Sequence, residues 1–318
     1  MPSEHQDKSV ARAPSVAILL CTLRGHDYLR QQLDSIVRQT HTSWAVWVSD
    51  DGSDHSTHAI LEDYQERLGS SRFTILCGPA QGFAANFLSL ACNASVSADY
   101  YAYADQDDIW EPEKLAQALQ PLVHIPADVA ALYCARTRKV DSDNQDLGFS
   151  ELWTRPPSFA NALVQSIASG NTMVFNNAAR DLLLAAGPKM GVAAHDWWTY
   201  QLVSGSGGRV FYDGNPTVRY RQHRDNLIGT NGTWSARLQR ARMLLRGRFR
   251  NWNQINLAAL EAMRAHLTAE NKKRLDDFSK ARQGRLLARL AAFRRSGVYR
   301  QTWLGNLGLV AAVILKKL

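Results

Sequence analysis

The sequence predicts an α/β protein built on a largely parallel sheet with helices on both faces, followed by a helical C-terminal extension. Three observations carry this reading. Short apolar runs alternate with helix-patterned segments over the first 135 residues, as strand–helix–strand units do. Two of those runs end in clusters of aspartates, at the carboxyl ends where such sheets bind ligands. Beyond Trp234 the apolar residues settle into a three/four spacing, the mark of helix.

In chain order, Val16 to Cys21, Trp44 to Ser49, Phe73 to Cys77, Tyr100 to Ala104 and Val129 to Cys134 read as buried strands. Between the first two, Leu29, Leu33, Ile36 and Val37 fall on one face of an amphipathic helix. From about Asp141 to Pro157 the pattern weakens into polar, Pro-containing sequence, expected as a long loop or insertion. Structure resumes at Ile167 to Phe175, then the helix-like Ala178 to Ala186, the segment His195 to Val203, and strands near Val210 and Val218. Leu245, Phe249, Trp252, Ile255, Ala259, Met263 and Leu267 continue as helix, and the Arg-rich Arg282 to Arg295 follows. The chain thus divides into a polar N-terminus expected to be disordered (1–13), an α/β domain (14–230) and a basic helical region (231–318).

Composition narrows the function classes. Of the 318 residues 45% are hydrophobic, with ten Phe, ten Tyr and nine Trp, enough apolar surface to exclude a disordered or low-complexity protein. The four cysteines stand singly without a CxxC pair, which argues against a disulfide scaffold or zinc ribbon and for reduced thiols in a cytoplasmic protein. The start, to Pro14, has no apolar run of the secretory kind. Trp303 to Leu315, interrupted by Asn306, is the longest apolar candidate and falls short of the roughly 20 residues a membrane span needs.

Charge is split along the chain. Residues 1–230 hold 18 Lys+Arg against 25 Asp+Glu, and residues 231–318 hold 19 against 4. The basic part is suited to anions. Arg237, Arg240, Arg242, Arg246, Arg248 and Arg250 interleave with Leu238, Met243, Leu244, Leu245, Phe249 and Trp252, a pattern that fits a helix in an anionic lipid headgroup layer or one packing its apolar stripe on its own domain. No nucleic-acid partner is expected, because no recognised binding motif accompanies the charge.

Tyr103-Ala104-Asp105-Gln106-Asp107-Asp108-Ile109-Trp110 sets three carboxylates directly after a buried strand. A hard divalent cation, Mg²⁺ or Mn²⁺, held by one or two carboxylates plus substrate phosphates would balance them; the alternative is an acidic loop capping the next helix, with Pro112 in its first turn. Ser49-Asp50-Asp51-Gly52-Ser53-Asp54 closes another apolar strand. It reads either as an ordinary acidic turn or as a carboxylate that accepts from a planar heterocycle, with Gly52 allowing the backbone close. His55-Ser56-Thr57-His58 has no third ligand nearby and reads as a solvated loop, and Gly205-Ser206-Gly207-Gly208 lacks the last glycine of a dinucleotide fingerprint.

Taken in order and spacing, Val16 to Thr22, SDDGSD and YADQDDIW resemble the inverting family 2 glycosyltransferases of GT-A fold, over roughly Pro14 to Gly229. Gly82-Phe83-Ala84-Ala85-Asn86-Phe87, His195-Asp196-Trp197-Trp198 and Tyr220-Arg221-Gln222-His223 are most similar to bacterial rhamnosyltransferase-like members. The resemblance implies that Thr22 and Asp51 line the base pocket, Asp51 accepting from the pyrimidine N3–H. Asp105 would lie near the ribose, Asp107 would ligate the metal, and His223 would complete the metal or diphosphate site, its alternative being a lone surface histidine on an Arg-rich strand. Asp196 would be the catalytic base; as a residue type it equally suits a helix N-cap. Gly170 and Asn171 would border the sugar and acceptor cleft, a strand-end turn being the equal alternative, and Trp197 would offer a platform for a sugar or lipid carrier, its alternative being a core aromatic. The chain departs from the family at Leu23 and Arg24, where many members have an aromatic and Asn, and at His195, where many have Glu.

The expected function is a metal-dependent inverting transfer from a nucleoside-diphosphate sugar, dTDP-L-rhamnose by resemblance, onto a lipid-linked saccharide in cell-surface polysaccharide synthesis. The enzyme would work at the cytoplasmic membrane face, held there by the C-terminal region on an anionic surface. A UDP-hexose transferase of the same fold and a non-catalytic nucleotide-sugar-binding module are the competing readings.

Overall fold

A computed structural model of the chain describes residues 12–223 and 248–318. The expected disordered segment 1–13 lies outside the described residues except for its last two positions, and so does the basic run up to residue 247.

The α/β part runs β1 (Val16–Thr22), α1 (Leu29–Val37), β2 (Trp44–Asp50), α2 (His55–Leu68), β3 (Phe73–Cys77), α3 (Phe83–Ala91), β4 (Tyr100–Ala104), β5 (Ile109–Trp110), α4 (Lys114–Leu122), β6 (Ala131–Ala135), β7 (Arg138–Val140) and β8 (Asp146–Phe149). It continues with α5 (Phe159–Ala162), a 3₁₀ turn (Gly170–Thr172), β9 (Val174–Asn176), α6 (Asn177–Ala186), α7 (His195–Gly205), β10 (Arg209–Asp213) and β11 (Val218–Arg221). The C-terminal part holds α8 (Arg248–Ala262), α9 (Ala269–Ala281), α10 (Leu286–Ser296) and α11 (Trp303–Ile314).

Seven strands form the main sheet in the order β10-β6-β9-β4-β1-β2-β3. β1 pairs in parallel with β2 and β4, and β2 with β3. The sheet is mixed rather than parallel throughout, because the three-residue β9 inserts between β4 and β6 and runs against both. β1 is apolar at nearly every position and wholly buried, as a central strand covered on both faces must be. Its alternation assigns the two cores: Val16, Ile18 and Leu20 face one with Leu29, Leu33, Leu61 and Leu115, while Ala17, Leu19 and Cys21 face the other with Phe87, Leu183 and Trp198.

A second sheet, β5-β11-β7-β8, lies beyond the carboxyl end of β4. Its β8 falls inside the stretch expected as a loop; it is a short polar edge strand, mostly exposed, with none of the apolar alternation by which strands are recognised. His55–His58 is likewise not a loop but the first turn of α2, capped by Asp54, whose carboxylate accepts from Thr57 N and Oγ1 at 2.9 and 2.8 Å. The C-terminal helices join the α7 side of the molecule: Leu257, Leu260, Leu267, Leu275 and Phe278 are buried in one cluster with Phe159, Tyr200 and Val203.

Candidate active site

The parallel order β4-β1-β2-β3 brings the ends of these strands to one edge of the sheet, so Thr22, Asp51 and Asp105 emerge side by side. Asp51 N donates to Thr22 O at 2.9 Å, and the Asp51 carboxylate accepts from Ala80 N at 2.6 Å, which fixes it against the turn after β3. The adjacent Gly52 has φ +98 with open space where a side chain would stand. Its φ lies in the region that favours glycine. Asp50 points inward, accepting from Ser53 N at 3.0 Å and facing His58 Nε2 at 3.1 Å.

The acidic strand ends share one neighbourhood. The Cys21 thiol, at the end of β1, is held well above its usual pKa by burial first and then by the Asp105 and Asp51 carboxylates on either side. Asp105 is itself pushed up to about 8, chiefly by desolvation, then by Asp107 and Asp196. Asp51, Asp105, Asp107 and Asp196 thus surround a single region at the carboxyl edge.

The three aspartates after β4 have separate surroundings. Asp107 is partly exposed, and its Oδ2 lies 2.7 Å from His223 Nε2, which β11 delivers from the second sheet. The His223 ring rests 5.1 Å from that of Tyr28. Asp108 is wholly buried: it accepts from Asn171 Nδ2 at 2.5 Å and from Arg221 N at 3.2 Å, and desolvation followed by its two neighbours raises its pKa well above the carboxylate range. It does not cap α4, whose N-cap is Glu113. Lys114 is equally buried, its ammonium 3.6 Å from the Trp110 ring centroid, and desolvation lowers it to about 7.

Asp196 sits inside the first turn of α7 rather than at its N-cap, which is Ala194. Its Oδ1 accepts from Trp197 N at 2.6 Å and its Oδ2 from Gly170 N at 3.2 Å. Burial pushes its pKa up to about 6, against the lowering by these backbone bonds. His195 turns away into an aromatic box, stacked on Phe87 at 3.9 Å and edge-on to Tyr103 at 4.8 Å. Neither ring nitrogen finds a partner, and desolvation lowers the imidazole to about 3. It is neutral and gives Asp196 no counter-charge.

Gly170 lies directly against Asp196 and His195. A Cβ there would stand 2.8 Å from His195 Nε2 and 3.2 Å from Asp196 Cβ. Trp197 takes the core-aromatic alternative, and Asn171 is held inside the fold. Asn171 is fully buried, its amide engaged with Asp108 and Ser169 Oγ. Trp197 is 7% exposed, donates through Nε1 to Ala162 O at 2.6 Å and meets Trp252 edge-on. Buried polar atoms must find internal partners, and with theirs found neither residue faces an open acceptor cleft.

Two further residues, Gln106 and Arg221, hold the surroundings of these side chains in place. Gln106, between the two aspartates of the motif, accepts from Thr22 Oγ1 and Leu23 N, each at 2.8 Å, and returns a bond from Nε2 to Leu23 O at 3.1 Å. Arg221, wholly buried, donates to Asp107 O (2.9 Å), Ser142 O (2.7 Å) and Gln31 Oε1 (2.7 Å). Only its place two residues before His223 marked it in the sequence.

The sequence model of the family described as Glycosyl transferase family 2 matches residues 17–181, the span that carries both acidic strand ends. The chain belongs to glycosyl transferase family 2. Within this family it is 27% identical over 234 residues to the dTDP-rhamnosyl transferase RfbG of Shigella flexneri, covering 70% of this chain and 77% of that protein. Among solved structures it resembles the mannosyltransferase PcManGT of Pyrobaculum calidifontis in complex with GDP-Man and Mn²⁺, with TM-score 0.50 and 18% identity over 96% of this chain and 86% of that one. S. aureus TarS 1-349 in complex with UDP-GlcNAc gives TM-score 0.52 and 13% identity over 89% of each chain. These likenesses establish the GT-A fold, with its mixed central sheet flanked by helices.

The donor set suits a hard or borderline cation: a carboxylate oxygen of Asp107 and an imidazole nitrogen of His223, 2.7 Å apart and both partly accessible. Among the described residues no group of three or more His, Cys, Asp or Glu is gathered to hold a metal. If Asp107 and His223 held such a cation, the remaining ligands would have to come from substrate phosphates and water.

Proposed function

We propose that this family 2 glycosyltransferase moves L-rhamnose, with inversion, from dTDP-L-rhamnose to a lipid-linked saccharide in cell-surface polysaccharide synthesis. Its place is the cytoplasmic face of the membrane, with an anionic lipid surface as a further partner. The observation that carries the reaction class is the convergence of Asp51, Asp105, Asp107 and Asp196 on one edge of the sheet. The sugar rests on the likeness to the S. flexneri dTDP-rhamnosyl transferase, and the compartment on the four free cysteines.

In this reading Asp51 accepts the base N3–H and Thr22, held by Gln106, borders the ring. Asp105 meets the ribose. Asp107 and His223 would hold Mg²⁺ or Mn²⁺, and such an ion would supply Lewis-acid neutralisation of charge on the departing diphosphate. Asp196 takes the proton of the acceptor hydroxyl as that oxygen attacks the anomeric carbon from the face opposite the diphosphate, a contribution on the order of 10²–10⁴-fold. Gly170 keeps the approach to Asp196 free of a side chain. The neutral His195 leaves the carboxylate basic instead of pairing with it.

The test is direct. Asp196→Ala is expected to abolish transfer from dTDP-rhamnose while leaving nucleotide binding measurable by calorimetry; unchanged turnover removes Asp196 from the base role. A thermal-shift series with dTDP, UDP and GDP sugars, with and without Mn²⁺, reads base and metal together. Stabilisation by UDP-hexoses in preference to dTDP-rhamnose supports the competing donor, and donor binding with no hydrolysis or transfer marks a non-catalytic module.

A further inference from the structure

α11 is apolar on both sides. Leu309, Ala312 and Val313 face inward and are buried in the main core. Trp303, Leu304, Leu307, Val310, Ile314 and Leu315 fall on the opposite arc and are exposed, Trp303 by 70%. A surface helix ordinarily turns charged or polar residues to water, and a contiguous exposed apolar face marks an interaction site. Leu287, 81% exposed near the start of α10, adds a second apolar point on the neighbouring helix.

The helix cannot span a bilayer. Twelve residues make about 18 Å of helix against a hydrocarbon core of about 30 Å, and among the described residues no helix is long and apolar enough to cross a membrane. It can lie in the interface. The surrounding charge selects the partner: residues 282–318 contain eight Lys+Arg and no Asp or Glu, with Arg285, Arg294 and Lys316 exposed. A second copy of this surface would bring like charges together, whereas anionic headgroups complement them. Trp303 at the helix start has the amphipathic ring suited to headgroup depth.

We infer that the outer face of α11, with Leu287, is a membrane-docking surface that inserts in-plane into an anionic phospholipid interface while Arg285, Arg294 and Lys316 meet the headgroups. The inference rests on the membrane-side reading above and assigns it to these residues. It does not need the sugar transfer to be correct.

The full chain is mixed with vesicles of phosphatidylcholine alone or with added phosphatidylglycerol, without any nucleotide, and binding is read by flotation. Binding is expected only to the anionic vesicles, weakening as salt rises. The pair Leu307→Glu and Ile314→Glu should reduce partitioning roughly a hundredfold or more, with thermal unfolding and nucleotide binding unchanged as the control for folding. Trp303→Phe should remove a blue-shifted component from the vesicle-induced fluorescence change. Absence of vesicle binding, binding unaffected by the two substitutions, or a dimer in light scattering that the substitutions dissolve would each overturn the proposal. Loss of transfer with intact vesicle binding bears on the reaction alone.

Discussion

Asp196 is an acid that folding makes weaker. Its carboxyl titrates near 6 because burial disfavours the charged form more than two backbone donors favour it. As the proposed base it must be ionised, so transfer is expected to fall as pH drops through about 6, with kcat/KM losing tenfold per pH unit below it; a flat acid limb would exclude this assignment. The raised value also has a stability consequence. A carboxyl whose folded pKa lies above its unfolded one stabilises below the unfolded pKa and loses that contribution as pH rises through the folded pKa. Asp196→Asn should therefore raise the melting temperature at pH 7.5, and the gain should vanish near pH 4, while transfer is lost. Gln106 makes a different prediction. Its three bonds tie down Thr22 and Leu23, where the proposed base pocket lies, so Gln106→Leu should raise donor KM about tenfold with a smaller change in kcat. A KM at the native value would reduce Gln106 to a spacer between two aspartates.

β11 is the element on which the proposed metal seat depends. It carries Arg221 inward and His223 toward Asp107, and the Arg221 fork ties the end of β4, the loop after β7 and α1 together through Asp107 O, Ser142 O and Gln31. A lysine ammonium cannot reproduce a planar fork with several fixed donors. Arg221→Lys is thus expected to raise the Mn²⁺ concentration for half-maximal activity by on the order of 10–100-fold, the cost typical of an outer-shell support. An unchanged metal titration would mean that His223 is positioned without it. The main-sheet strands were legible because their apolar runs are continuous: β1, β2, β3 and β4 fall within a residue of their expected spans. β5 and β8 were not. Two to four residues on a small sheet carry too little periodicity, and their pairing is decided by neighbours distant in sequence.

At the scale of the whole molecule, one hydrophobic core joins the family 2 domain to the helices that follow it, for Leu260 and Phe278 are fully buried among residues of α5 and α7. Leu260→Ala is expected to cost about 2–5 kcal/mol of unfolding free energy, and chemical denaturation should show one cooperative transition. A loss confined to a separate second transition would mean that the C-terminal helices fold as an independent unit. The charge split is a property of the same scale: the aspartates gather at one sheet edge, and the basic region carries α11. The sequence by itself determined the α/β alternation, the two acidic strand ends, the family resemblance and the cationic excess after residue 231, since each is written in local order and composition. Tertiary structure alone decided which aspartate is buried on Asn171 and which meets His223, that Trp197 lies inside, and that α11 leaves one apolar face outward. Burial and pairing between distant segments are contacts across space, and residue order along the chain does not encode them locally.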